Sequence, residues 1–121
     1  SEAARIATRH GLDPAVANHL VRSYGSRAAQ VAGLLDQVGP ARLSPGHVFL
    51  EAEVVWAARQ ELAQTALDVL ARRTRLAFVD QAAAVAALPR TIELLGAELG
   101  WSGARRRQEL EEARGRLERG I

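Results

Sequence analysis

Apolar residues recur along this chain at spacings of three and four, and no segment alternates apolar and polar residues over a convincing length. That is the periodicity of helices. Asp13 followed by Pro14 predicts a helix start, because the carboxylate accepts from free first-turn amides while proline takes a position that needs no donor. Val16, Leu20, Val21 and Tyr24 then share one face, and Gly25 ends it. Ser26 predicts the cap of a second helix, with Val31, Leu34, Leu35 and Val38 on its buried face and Gly39 with Pro40 as its stop. The stretch "GPARLSPGHVF", Gly39 to Phe49, carries paired prolines and glycines and predicts the longest loop.

The pattern resumes near Glu51, where Val54, Val55, Ala58, Leu62, Ala66, Val69 and Leu70 predict two helices with a break between Ala63 and Thr65. Asp80 opens the longest periodic segment, carried by Val85, Leu88, Ile92, Leu95 and Leu99 and stopped by Gly100. Pro89 lies inside it and predicts a kink, since proline removes the amide that would bond the carbonyl of Val85. Ser102 predicts the cap of a last, strongly charged helix to about Arg119, anchored by Leu110 and Leu117. The opening residues, through His10, read as a short helix held by Ile6. Together these predict an all-α fold, a compact bundle of about five to seven short helices with a longer proline-containing helix near the C-terminus.

Composition narrows this picture. The 121 residues are 48% hydrophobic and 25% charged, which suits one domain spanning residues 1 to 121. The pI near 10.3 looks like a nucleic-acid signature. Yet the net charge is only +2 and every one of the 16 basic residues is arginine, so the pI reflects guanidinium chemistry more than a charge excess. Residues 1 to 100 hold ten arginines against ten acids. The excess sits in the C-terminal helix, where acids interleave with arginines as in a solvated, ion-paired surface, and nucleic acid is not the partner this predicts. No cysteine is present for a disulfide, a thiolate metal site or a nucleophile, and no methionine, so the chain reads as a fragment of a longer protein. The longest purely apolar run, Ala82 to Leu88, is far shorter than a membrane span, and nothing at the N-terminus reads as a signal peptide.

Candidate chemistry is sparse. His10, His19 and His47 lack the spacing of a helical metal pair and read as surface or loop residues, so no metal site is assigned. Glu51 and Glu53 stand two apart, on different helix faces, and read as partners of buried arginine instead of a carboxylate pair. Neither GxGxxG nor GxxxxGK[ST] occurs, so no nucleotide cradle, catalytic residue or cofactor ligand is assigned. The conspicuous feature is "ARRTRLAF", Ala71 to Phe78, which sets Arg72, Arg73 and Arg75 among apolar neighbours. Desolvation of at least one of them is expected, with Asp68, Glu51, Glu53 and Glu61 as available partners. Three roles stay open for these arginines: an internal ion-pair network, docking against another domain, and anion binding.

The ordered segments "LDPAVANHLVRSYG", "EAEV", "TALDVLARRTRLAF", "QAAAVAALPR" and "ELGW" resemble the C-terminal domain of FAD-dependent, respiratory glycerol-3-phosphate dehydrogenase, from about Gly11 into the last helix. The resemblance implies a helical, cap-like domain behind a flavin-binding body. It also implies a parent enzyme that oxidises glycerol 3-phosphate to dihydroxyacetone phosphate, passes a hydride to FAD and delivers electrons to quinone at the membrane. The flavin fingerprint and substrate-phosphate ligands of that family lie upstream, so the resemblance carries no catalytic residue onto this chain. The fragment is expected to be inactive and without a cofactor of its own, with the FAD-binding body as its partner, self-association as a further expectation, and a cytoplasmic location, the parent lying peripherally at the inner face of the cell membrane. The competing expectation is a free-standing helical module that binds protein or nucleic acid.

Overall fold

A computed structural model describes residues 1–121, all of them in helices, turns and loops apart from one isolated antiparallel bridge between Arg42 and Leu50. By packing, the chain divides into Ser1–Trp56 and Ala57–Ile121.

The first unit opens with α1 (Glu2–His10), capped by the Ser1 hydroxyl, which accepts from the Ala4 amide at 3.1 Å. Gly11, at φ 65°, ends α1 in the left-handed region that glycine reaches without a Cβ clash. Asp13 then caps α2 (Pro14–Tyr24), accepting from the Ala15 amide at 2.8 Å, as the Asp-Pro signal predicts. Helix α1 packs on α2, and Ile6, Val16, Ala17 and Leu20 enter a core completed by Val31, Leu35, Leu50 and Trp56.

The second predicted helix is not one helix. A 3₁₀ turn, Gly25–Arg27, follows α2 directly and encloses Ser26, which makes no cap; α3 (Ala28–Gly33) and α4 (Leu35–Val38) succeed it. The Leu34 amide bonds the Val31 carbonyl three residues back, a tightening placed just after Gly33, where helical persistence is weakest. The Gly39 to Phe49 segment is the long loop. It is pinned by Leu43 N–H to Phe49 O and Glu51 N–H to Ala41 O, both 2.9 Å.

Helix α5 (Glu51–Gln60) begins in the first unit and ends in the second. The break predicted after it is present: helical structure restarts at Ala66 and passes into a π-helical segment, Asp68–Arg73, closed by Thr74 N–H to the Val69 carbonyl at 2.8 Å. Short α6 (Leu76–Val79) leads to Asp80, which caps α7 (Gln81–Leu99) by accepting from Ala83 N–H. Helix α7 runs on through Pro89, whose ring sits on the exposed face. Ser102 caps α8 (Gly103–Glu118), which packs along α7. The buried stripe of α8 is Glu109, Ala113 and Leu117, whereas Leu110 is only half-buried. A search for large apolar anchors passes over a stripe made of one alanine, one leucine and a paired acid.

Candidate functional site

Glu53 is 3% exposed and makes the densest polar cluster of the first unit. Leu50 stands at the N-cap of α5 and Glu53 at its third position, so the carboxylate reaches back to accept the Leu50 amide at 2.7 Å, the acidic half of a capping box. The same carboxylate accepts the Tyr24 hydroxyl at 2.7 Å and His19 Nε2 at 2.9 and 3.1 Å. A carboxylate only accepts, so Nε2 carries the proton, which leaves Nδ1 facing the Ser23 hydroxyl at 3.2 Å. Phe49 meets the His19 ring edge-on at 5.1 Å. Two expectations are thereby corrected: His19 is half-buried and tied to Glu53 instead of lying free at the surface, and Glu53 is held by histidine, tyrosine and a backbone amide, not by an arginine. Sequence spacing does not reveal this, because α2 and α5 meet only in the folded chain. Glu51 occupies the first turn of α5, half-buried.

Glu109 plays the corresponding part in the second unit. It is 4% exposed, accepts from the Ala66 amide at 2.8 Å and from Arg105 Nη1 at 2.7 Å, and so ties the restart at Ala66 to α8. Asp68 and Thr65 form a reciprocal cap: Asp68 N–H donates to Thr65 Oγ1 and Thr65 N–H to Asp68 Oδ2, both at 3.1 Å. The T-x-x-D signal of that box stands in the sequence as "TALD". Arg59 clasps Glu98 with two bonds, Nε to Oε1 at 2.6 Å and Nη2 to Oε2 at 3.1 Å. The Arg59 hydrogen bond, with its charge, holds the Glu98 carboxyl below the ordinary carboxylate value against the opposing push of burial, and Arg59 is raised in turn.

All three arginines of "ARRTRLAF" lie at the surface, so the desolvation expected for at least one of them does not occur within the domain. Arg72, whose side chain is 82% exposed, stands 3.8 Å from Asp68 one turn away. Arg73 Nε lies 3.3 Å from Glu61 Oε1 without bonding it well, and that buried oxygen has no hydrogen bond. Arg75 has a left-handed backbone, φ 61°, and lays its guanidinium over Phe78 at 5.1 Å. The buried polar residue of the stretch is Thr74: its hydroxyl donates to the Val69 carbonyl and accepts the Leu76 amide, both at 3.2 Å. It fastens the π-helical turn to α6. Of the apolar neighbours of the arginines, Val69, Leu70 and Leu76 are buried, whereas Phe78 is exposed.

Neither glutamate cluster presents an open coordination position, and no three His, Cys, Asp or Glu side chains converge as metal ligands. The grooves are shallow; one of about 330 Å³ is lined by Glu61, Leu62, Ala63, Asp68, Arg72 and Arg73. No helix is long and apolar enough to cross a membrane.

Comparison with known proteins supplies what geometry does not. Residues 1–106 match the family described as the C-terminal domain of alpha-glycerophosphate oxidase. The chain is 46% identical over 108 residues to the mitochondrial glycerol-3-phosphate dehydrogenase SDP6 of Arabidopsis thaliana, covering 88% of this chain and 17% of that protein. It is 43% identical over 115 residues to the mitochondrial glycerol-3-phosphate dehydrogenase of Mus musculus, covering 90% and 16%. With the probable mitochondrial enzyme of Caenorhabditis elegans it shares 45% over 111 residues, covering 87% and 15%. The chain thus spans about one sixth of the length of these relatives. No solved structure matches it. The relatives' names overturn the cytoplasmic placement and point to a mitochondrial location.

Proposed function

Because the chain belongs to the family of the C-terminal domain of alpha-glycerophosphate oxidase, we propose that it is the non-catalytic accessory domain of a longer FAD-dependent glycerol-3-phosphate dehydrogenase. The parent would oxidise glycerol 3-phosphate to dihydroxyacetone phosphate, with FAD taking the hydride and quinone the electrons. The single observation that carries this reading is the match over residues 1–106 to a domain defined within longer proteins. The interior adds support: the most buried acids, Glu53 and Glu109, spend their oxygens on histidine, tyrosine, arginine and backbone amides of their own unit. Groups so committed hold helices together and have no lone pair turned toward a substrate. The role is to brace and cover the flavin-binding body of the same polypeptide. A free-standing binding module is not favoured, since the relatives carry this region as a small part of a dehydrogenase.

The test is an assay of glycerol 3-phosphate-dependent reduction of a quinone analogue by the whole polypeptide and by residues 1–121 alone. The whole polypeptide is expected to turn over and to carry FAD, and residues 1–121 to do neither. Stoichiometric FAD binding or turnover by residues 1–121 would place chemistry inside this domain and end the accessory reading.

A further inference from the structure

We propose that the segment from Glu61 to Val79 is the face by which this domain docks onto the larger remainder of its own polypeptide, an inference that rests on the reading of the chain as a C-terminal domain. Three of the four exposed large hydrophobic residues fall in this segment: Leu62 at 79%, Phe78 at 58% and Val79 at 64%. The fourth is the terminal Ile121. Both non-glycine residues with positive φ fall there too, Leu62 at 59° and Arg75 at 61°.

These features conflict with the interest of the isolated domain. A left-handed backbone costs a non-glycine residue roughly 1–2 kcal/mol, and glycine adopts it freely. At Leu62 and Arg75 the chain keeps a strained residue whose side chain stands largely in solvent, so burial within the domain does not offset the strain. At Leu62 the left-handed turn closes α5, with Ala63 N–H on the Ala57 carbonyl at 3.0 Å, a place that glycine fills without strain, so it is the choice of an exposed leucine there that points outside the fold. The chemistry of the face is that of an interface centre: Leu62 shares an open groove with Arg72 and Arg73, and Arg75 stacks on Phe78 as an amphipathic plate.

The occupant follows from length and charge. The relatives hold more than four-fifths of their residues outside the matched region, so a large partner surface belongs to the same chain. A two-fold self-contact would have to supply its own acidic partners. The acids of this segment are poorly placed for that, Asp68 being held in the cap with Thr65 and Glu61 being largely buried beside Arg73. The face is left net positive, and it fits an apolar patch flanked by carboxylates on the body.

Hydroxyl-radical footprinting of the whole polypeptide tests this, with residues 1–121 as reference once their cooperative melt is confirmed. Oxidation of Leu62 and Phe78 is expected to fall about tenfold in the whole polypeptide, as for side chains moved into a water-excluded interface, with exposed positions of α1 to α4 unchanged. A Leu62→Asp/Phe78→Asp variant of the whole polypeptide should release the domain faster on limited proteolysis. Equal oxidation in both forms, with protection appearing elsewhere, would overturn the assignment of this face while leaving the C-terminal-domain reading intact. Protection that grows with the concentration of residues 1–121 alone would assign the face to a second copy and also overturn it. Failure of the whole polypeptide to oxidise glycerol 3-phosphate is a separate outcome that removes the parent reading itself.

Discussion

Glu53 concentrates more structural consequence than any other single side chain, because three donors from two elements end on its carboxylate. Glu53→Ala would leave the Tyr24 hydroxyl, His19 Nε2 and the Leu50 amide without their acceptor, and a loss of about 3–5 kcal/mol is expected in a urea melt. A variant within 1 kcal/mol of wild type, on the order of one ordinary hydrogen bond, would mean that water replaces the carboxylate and that the cluster is not structural. The arginines carry the opposite expectation. Burial would have made Arg73→Ala cost several kcal/mol, but an exposed, poorly bonded pair is worth at most about 1 kcal/mol. Arg75→Gly should instead stabilise residues 1–121, by up to about 1 kcal/mol, through relief of the left-handed backbone. A lower melting temperature for Arg75→Gly would show that the plate over Phe78 outweighs the strain. None of these values was legible in the sequence. Spacing identified Glu53 as a candidate ion-pair member, but it cannot show that His19 and Tyr24 would arrive from α2.

At the scale of elements, what was legible is what is local. Asp13, Asp80 and Ser102 cap the helices they precede, and Gly25, Gly39 and Gly100 end them, since a cap depends on a few consecutive residues. Ser26 failed as a cap because it lies inside a 3₁₀ turn, Gly25–Arg27, that joins α2 to α3 without a side-chain cap. The π-helical turn was illegible for a related reason: its one-residue surplus is resolved by Thr74 bonding back to Val69, which no periodicity announces. The Thr65–Asp68 box sets the start of that element, and Asp68→Ala should cost about 1 kcal/mol by thermal melt. No change in that variant would assign the restart to Glu109 alone. The Arg59–Glu98 clasp gives α5 and α7 a pH signature. The folded carboxyl titrates below its unfolded value, so its contribution is present above the ordinary carboxylate pKa of about 4.3 and fades as pH falls through the lower folded value. Glu98→Gln should therefore melt below wild type near neutral pH, modestly because Arg59 is substantially exposed, with the gap closing in acid. A gap that widens in acid would reverse the sign of the linkage.

For the whole molecule, the helical class and the family were both readable, the first from periodicity and the second from five ordered segments that geometry alone would not have joined to a dehydrogenase. Location was misread, because an address is not written in the packing residues of a single domain. What the chain does is bounded by its share of its relatives, about one sixth, and its own groups are committed to holding it together. On the proposed reading, the domain acts by stabilising the body it covers. The most direct measurement is thermal release of FAD, followed by flavin fluorescence, from the whole polypeptide and from the same polypeptide lacking residues 1–121. A bracing domain predicts release at a lower temperature after the deletion, with flavin still bound at the start. Release at the same temperature in both would contradict the bracing role.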